Sequence, residues 1–551
     1  MLHWLRHYRR TLLAGDIGAG IVVAMMMIPQ GMAYALVAGL PPVVGIYASI
    51  LPPICYALFG SSMTQSVGPM AIVSLMTGAA IGPLAVAGSG LYGVLAAQLA
   101  LMSGLVLLAC GLLRIGFLAN FFSRPVMSGF TIGSAIVIAW GQLPVLLGGA
   151  LQAWHASSAL LGLGSLLALW LARRYAARAL QAVGLSKNVA ATGARLAPML
   201  IVVGATVLVA LLGEHGIRTT GAVPQGLPQL NLATSSTHWR VLVQPALLIG
   251  FVVFLISMSA AQSLALARQE KLQSNYELIG LGVANIGSAL SGGFPVTGSI
   301  SRSAVNFAAG ANTPLASIIT ALLLAVALVA PNGWLALLPM PTLAATIIIA
   351  VLGMLELDTL QISWRYDRSD ALALLATAGG VLVLGVEAGV IVGVALSMGT
   401  MIWRASRPHI AVLGRVGSME HFRNIERYAC TTLPQILVMR IDAGLFFGNS
   451  EAVGQRIEDE LAARPQTRHL VLVLSAVNSI DTSALFALGE LNASLQRRGV
   501  LLHFAEVKGP IMDRLKESKL LEELTGRVFL STAIACDELV GERSDTHQQD
   551  A

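Results

Sequence analysis

Between residue 13 and residue 407 the chain is a succession of apolar blocks, separated by short stretches that hold glycine, proline and most of the charges. A membrane-crossing helix needs about 20 mostly apolar residues. Counting blocks on that basis gives about fourteen spans, centred near residues 25, 50, 74, 102, 136, 164, 205, 256, 285, 303, 321, 348, 377 and 394, the third and tenth of them short. From Leu433 the texture changes to short β-type runs alternating with amphipathic ones. Ile436–Asp442 and Leu470–Ser475 read as strands, Asp481-Thr-Ser483 caps a helix to about Arg498, and Gly499 ends it. Val500–Phe504 is the next strand and Ile511–Lys519 the next helix, an α/β unit with a small sheet. The expected organisation is a membrane domain over 1–407, a linker over 408–432, a soluble domain over 433–541 and a disordered tail over 542–551.

Composition agrees: 56% of residues are hydrophobic and 11% charged, where soluble domains carry about a quarter. Residues 1–407 hold 19 Lys/Arg and 9 Asp/Glu, against 15 and 19 in 408–551. The net +6 therefore hides an excess of cations in the membrane part, and a nucleic-acid partner is not expected. The lipid bilayer is the expected partner, and the first apolar run, with no small-residue cleavage site after it, reads as a retained span. With the N-terminus inside, the inner segments carry Arg6, Arg9, Arg10, Arg114, Arg124, Arg173, Arg174, Arg178, Lys187, Arg195, Arg268, Lys271, Arg365, Arg368, Arg404 and Arg407, and the outer ones only Arg218 and Arg240. That asymmetry puts both termini in the cytoplasm. The four cysteines (Cys55, Cys110, Cys430 and Cys536) lack metal-ligand spacing and read as free thiols. No metal or cofactor is expected, and the ten scattered histidines offer no nucleophile–base pair for an enzyme.

One cation, Arg302, falls inside an apolar block. A charge at membrane depth costs at least about 2.5–3.5 kcal/mol, so it either snorkels to an interface or sets the potential of an anion site. Two interrupted segments, Ser66-Val-Gly-Pro-Met-Ala-Ile-Val-Ser74 and Gly292-Gly-Phe-Pro-Val-Thr-Gly-Ser-Ile-Ser301, each read as an extended stretch leading into a half-helix. Extended backbone at membrane depth persists only where it lines a cavity or is buried in protein. A matched pair of interrupted segments points to a transporter site. Helix starts with free N–H groups suit an anion, and Thr297, Ser299 and Ser301 add hydroxyls. The plainer alternative is that the glycines and prolines serve helix packing or kinks.

Several motifs carry a family resemblance. The run Asp16-x3-Gly20, Pro29-Gln30-Gly-Met-Ala-Tyr34-Ala, Gly39-Leu-Pro-Pro, Gly45-Ile-Tyr47 and Gly60-Ser-Ser resembles the first-helix signature of the sulphate-permease (SulP) anion transporters, and Asn275–Gly280 and Pro295–Arg302 resemble two further blocks. The resemblance implies an α-helical polytopic membrane fold of 14 transmembrane helices as two inverted seven-helix repeats. A core domain (spans 1–4 and 8–11) would move against a gate domain (5–7 and 12–14). The anion would be held between the third and tenth helix starts by Gln30, Tyr34, Met70, Ala71, Ser299, Ile300, Ser301 and Arg302. Proton- or sodium-coupled members commonly place an acid in the eighth helix; here Ile256 takes that position, which puts symport in doubt and leaves exchange or facilitated flux. Asp16 and Glu277 read as first-turn residues complementing a helix N-terminus, Asn275 as a cap, and Glu387 as part of the last tight turn, with a coupling role for one of these acids the lesser alternative.

The C-terminal unit resembles the STAS domain found after SulP membrane domains and in bacterial anti-sigma-factor antagonists. In the antagonists the serine matching Ser483 is phosphorylated; capping by the Asp481–Ser483 turn is the simpler role, with dimer contact and regulation the expected duty. The leading expectation is a secondary anion transporter of the bacterial inner membrane, a homodimer, with sulphate as substrate. Bicarbonate, dicarboxylate or chloride exchange or uniport stays open. A nucleobase permease of the same fold is disfavoured by the Arg302 block, and a membrane-anchored STAS signalling scaffold is the alternative of another class.

Overall fold

The computed structural model describes residues 4, 8–117, 123–149, 154–184, 186–212, 216–221, 224–229, 238–270, 272–330, 333–353, 355, 357–417 and 420–549. They form two compact units, Met1–Ser397 and Met398–Ala551. In the first, helices α1 (Leu13–Val37), α2 (Pro42–Tyr47) and α3 (Leu51–Phe59) lead to a two-residue strand β1 (Val67–Gly68) and the short helix α4 (Ala71–Ile81). Then follow α5 (Gly90–Leu112), α6 (Arg124–Leu147), α7 (Ala156–Ala182), α8 (Lys187–Leu212), α9 (Trp239–Arg268) and α10 (Ser274–Leu290). Strand β2 (Thr297–Gly298) enters α11 (Ile300–Ala308), followed by α12 (Leu315–Val329), α13 (Gly333–Ala336), α14 (Met340–Leu352), α15 (Leu357–Tyr366), α16 (Arg368–Leu384) and α17 (Val386–Ser406).

Among the described residues, seven helical stretches are long and apolar enough to cross a membrane. The centres expected from the sequence fall inside helices, except that the block around residue 50 is broken into α2 and α3. The break has a local cause: Pro52 and Pro53 supply no N–H to continue the helix from α2. Arg302 and the two half-helices α4 and α11 lie where the interrupted segments predict. The dense helix packing falls into two groups, α1, α3, α5, α9, α10 and α12 in one and α6, α7, α8, α14 and α16 in the other, matching the expected core and gate sets. Small residues permit the closest of these contacts. A Cβ on Gly282 of α10 would stand 2.7 Å from the backbone nitrogen of Leu108 on α5, so only glycine fits.

The second unit holds a six-stranded sheet of order β4-β3-β5-β6-β7-β8, with β3 Ile410–Arg415, β4 Phe422–Asn424, β5 Ile436–Ile441, β6 His469–Val473, β7 Leu501–Ala505 and β8 Val528–Phe529. The strands β5 to β8 are parallel, while β3 runs antiparallel to both its neighbours. Alternation along β5 sends Leu437 and Met439 to a layer with α18 (Ser450–Ala462), α19 (Thr482–Arg497) and α20 (Gly509–Lys516). It sends Ile436 and Val438 to the other face. There, beyond a short α21 (Leu520–Glu523), the last helix α22 (Thr532–Gln549) contributes Ala535, Cys536 and Leu539. Asp481 caps α19 as expected, accepting from the Ala484 amide at 2.8 Å. Two boundaries are corrected. Residues 408–432 are no linker, because β3 and β4 lie there; β3 pairs with the β5 edge, which would otherwise be left open, and β4 pairs with β3. Helix α22 also runs through most of 542–551, where a disordered tail was expected.

His503 on β7 gives this unit a pH dependence. Its Nδ1 accepts from the Arg527 amide at 3.0 Å, so the ring hydrogen sits on Nε2, which faces His469 Nδ1 at 3.1 Å. Burial, followed by the nearby charges of His469 and Arg527, pushes the imidazole down to about 4. A histidine whose folded pKa is depressed stabilises the fold fully above its unfolded value, near 6.5, and that contribution is lost as pH falls towards 4. We expect denaturant unfolding of the full protein to show the soluble unit losing up to about 3 kcal/mol between pH 7 and pH 4. His503→Gln should flatten this profile; an unchanged slope would show that the loss comes from other groups.

Candidate anion site

The extended stretches before the two half-helices meet. β1 and β2 pair antiparallel, Val67 opposite Gly298 and Gly68 opposite Thr297, so α4 and α11 begin at a shared ribbon and run apart. Strands this short do not hold by their own pairing. The ribbon is pinned from all sides by buried polar groups. Asn285 of α10 clamps Val296, accepting from its amide at 2.9 Å and donating to its carbonyl at 3.0 Å. The Thr297 hydroxyl donates to the Val253 carbonyl of α9 at 2.9 Å. Gln65 Nε2 donates to the Ser257 carbonyl at 2.9 Å, and Asn306 Nδ2 to the Thr64 carbonyl at 2.9 Å. The Ser299 amide donates to the Ser66 carbonyl, and the Ser66 amide donates to Ser303 Oγ at 2.9 Å. These bonds satisfy irregular backbone that the bilayer could not.

At the ribbon's ends, Met70 is the extended residue before α4, and Ala71 is its buried first residue. Ser299 is the residue before α11; its Oγ accepts from the Arg302 amide at 3.5 Å and lies 3.3 Å from Ser301 Oγ. Ile300 is 45% exposed and Ser301 is exposed, so the start of α11 is open on that side. Behind it Arg302 is 1% exposed, which rules out snorkelling. Its Nη1 donates to the Pro69 carbonyl at 2.6 Å, tying α11 to the turn that begins α4. Among the described residues, Nε and Nη2 have no hydrogen-bond partner. A guanidinium with two buried, unused donors is costly unless an anion completes it. Tyr34 lies within electrostatic reach of Arg302, is buried, and shares a cluster with Met27 and Ala71. Gln30, one turn earlier on α1, is half-buried. The site residues expected from the sequence therefore sit on three elements that pack together, α1, α4 and α11.

Ile256, by contrast, is buried in the apolar core of the first unit, with no proton-carrying group of its own. Asp16 and Glu277 stand in the first turns of α1 and α10 as expected, but both also hold distant partners, and the capping role expected of Asn275 is corrected. Asp16, in the first turn of α1, also accepts from the Asn312 amide at 2.7 Å, the Thr313 amide at 3.0 Å and the Thr313 hydroxyl at 2.7 Å, fixing the entry to α12. Asn275 is not a cap for α10: its Oδ1 accepts from the Gly116 amide at 3.0 Å. Glu277 is fully buried against the chain that leads into the ribbon. Sequence spacing cannot signal these partners, which are as much as 297 positions away. Glu387 falls in the first turn of α17, and its side chain lies outside the described residues. Ser483 stands exposed in the first turn of α19.

Residues 13–377 match the family model described as the sulfate permease family, and residues 428–535 match that of the STAS domain. A probable sulfate transporter of Mycobacterium tuberculosis is 35% identical over 540 residues, covering 94% of each chain. The chloroplastic sulfate transporter 4.1 of Arabidopsis thaliana is 35% identical over 546 residues, covering 94% of this chain and 79% of its own. Among solved structures, murine solute carrier 26 family member A9, an anion transporter in the inward-facing state, superimposes with a TM-score of 0.88 at 21% identity, covering 98% of this chain and 93% of its own. The transmembrane domain of the cyanobacterial bicarbonate transporter BicA superimposes with a TM-score of 0.60 at 24% identity, over 70% of this chain and 98% of its own.

Proposed function

Because this chain belongs to the sulfate permease family, we propose that it moves small inorganic anions, sulfate first among them, across the bacterial inner membrane by alternating access. The observation that carries the reading is Arg302, a buried guanidinium with two unpartnered donors between the starts of α4 and α11. The anion binds at those starts, where backbone N–H groups and the macrodipole favour negative charge. Ser299 and Ser301 donate hydroxyl hydrogens, Arg302 supplies the charge, and Met70, Ala71 and Ile300 form the helix-start walls. Gln30 and Tyr34 close the site from α1. Both termini are cytoplasmic, two copies pair as a homodimer, and Ser483, exposed on the STAS unit, is the position where a phosphate would meet a helix start.

Sulfate ranks first because the relatives with matching length carry that name; the bicarbonate transporter of similar fold makes bicarbonate the main rival. Uptake of labelled sulfate into proteoliposomes, with bicarbonate, fumarate and chloride as competitors, decides between them. Saturable uptake poorly competed by bicarbonate is the expected result, and absence of sulfate uptake would retire the substrate assignment. Ser301→Ala should weaken sulfate affinity about 10- to 100-fold, the worth of one hydrogen bond to a charged group. The same variant should leave the protein monodisperse, which size-exclusion chromatography checks.

A further inference from the structure

We propose that Glu277 is the proton-binding site of this transporter and that it signals to the anion site through Tyr56 and Gln65. The inference rests on the reading of the chain as an anion transporter and adds to it a coupling group at a place other than the position occupied by Ile256. The Glu277 carboxyl is 0% exposed. Its Oε1 accepts from the Ser61 amide at 3.0 Å, the Ser61 hydroxyl at 2.6 Å and the Ser62 amide at 3.0 Å. Its Oε2 lies 2.7 Å from the Tyr56 hydroxyl. That hydroxyl also lies 2.6 Å from Gln65 Oε1. The orientation of the Gln65 amide is set by Nε2, which donates to the Ser257 carbonyl, so its oxygen must face Tyr56.

Tyr56 has one O–H hydrogen and two acceptors at bonding distance, Glu277 Oε2 and Gln65 Oε1. With the carboxylate ionised, Tyr56 donates to Glu277, and its contact with Gln65 sets two oxygens together without a hydrogen. When Oε2 takes up a proton, the new O–H donates to the Tyr56 oxygen and the Tyr56 hydrogen turns to Gln65. Only the O–H bond to Glu277 forms or breaks, and the proton comes from and returns to water. Protonation thus reverses the bond between Glu277 and Tyr56 and adds one from Tyr56 to Gln65.

Gln65 passes this to the site. Its amide packs on the ribbon so closely that a Cβ on Gly298 would overlap Nε2. The next residue, Ser66, accepts from the Ser299 amide at the start of α11. Glu277 is therefore linked to the proposed anion site by Tyr56, Gln65, Ser66 and Ser299. No basic group competes for the carboxylate among the described residues that touch it. From α3 the titratable groups are Tyr56, in contact, and Cys55, which abuts Gly287 further along α10. From α5 there is Cys110. On α9, Arg268 is engaged by Glu270 and by the carbonyls of Ala311 and Asn312. Ser62 also reaches the Tyr56 oxygen, and Lys271 lies outside the described residues.

The test uses the full-length protein in proteoliposomes that hold a pH-sensitive dye, with labelled sulfate outside. Wild type should take up sulfate faster under an inward proton gradient and acidify the lumen as it does so. Each proton carried raises accumulation about tenfold for a gradient of about one pH unit. Glu277→Gln should exchange sulfate for internal sulfate while losing both gradient stimulation and acidification. Tyr56→Phe, which keeps the carboxyl and removes the shared hydrogen, should lose the gradient stimulation too. A pH jump followed by infrared spectroscopy should show a carboxylic-acid band in wild type that is missing in Glu277→Gln. Full gradient stimulation in Glu277→Gln, or a wild type that carries sulfate indifferently to the gradient, would overturn the proposal and leave the anion-transport reading standing. Absence of any sulfate flux in wild type would retire the sulfate assignment on which this coupling rests, and overturn the proposal with it.

Discussion

Arg302→Ala should reduce sulfate uptake by about 100-fold or more while the protein still folds. The guanidinium offers the anion two buried N–H donors, and a hydrogen bond to a charged group is worth about 1.5–3 kcal/mol. Losing both removes about 3 kcal/mol or more, which is a factor of at least about 100 in affinity. The cost to folding is smaller because two effects oppose each other. The Pro69 carbonyl loses its donor, at about 1–3 kcal/mol, but a desolvated charge is also removed. Arg302→Lys separates charge from geometry. It keeps the positive potential but loses the planar fork that reaches Pro69 and the open side together, so it should recover part of the affinity at most. Sulfate binding by calorimetry on the detergent-purified variants reads this directly. Unchanged affinity in Arg302→Ala would mean that the unpaired donors face something other than the transported anion.

Gly298→Ala should abolish transport by a different route, through the ribbon. Gly298 does not have a positive φ, so the backbone alone would accept alanine. The obstacle is space: the added Cβ would overlap Gln65 Nε2 and lie 2.6 Å from Ser257 Oγ. Either Gln65 leaves the Ser257 carbonyl and Tyr56, or β2 pulls away from β1 and carries the start of α11 with it. Overpacking of this kind costs about 1–3 kcal/mol, and each buried polar group left unpaired adds about 1–3 kcal/mol. A drop in the melting temperature of the membrane unit together with loss of uptake is the expected pair of results. Wild-type melting with wild-type flux would show that the ribbon tolerates displacement and does not set the distance between the two helix starts.

Much of this was legible in the chain. The apolar blocks needed no tertiary information, because a helix in lipid satisfies its backbone by itself and its length is dictated by bilayer thickness. The two half-helices were marked by local chemistry. Pro69 and Pro295 interrupt helical hydrogen bonding wherever they stand, and Gly68 and the Gly292-Gly293 pair shortly precede them. In the second unit, the short apolar run Ile436–Ile441 was legible as a strand, and the structure buries both of its faces. Arg302 could be singled out because a lone cation in an apolar block is rare at any depth.

What the sequence determined by itself is what depends on neighbours along the chain: the apolar spans, the half-helix starts, the Asp481 cap and the presence of a stray guanidinium. Only the tertiary structure decided which polar groups meet. It paired β1 with β2 across some 230 residues. It brought the first turn of α1, through Asp16, to the entry of α12, and set Glu277 against Tyr56 and the Ser61–Ser62 turn. It also drew residues 410–424 into the sheet, because the edge of β5 needed a partner that local propensity does not announce. The physical reason is the same in each case. Backbone satisfaction within a helix is local, whereas a buried side-chain donor or acceptor must be matched by whatever the packed fold brings to it.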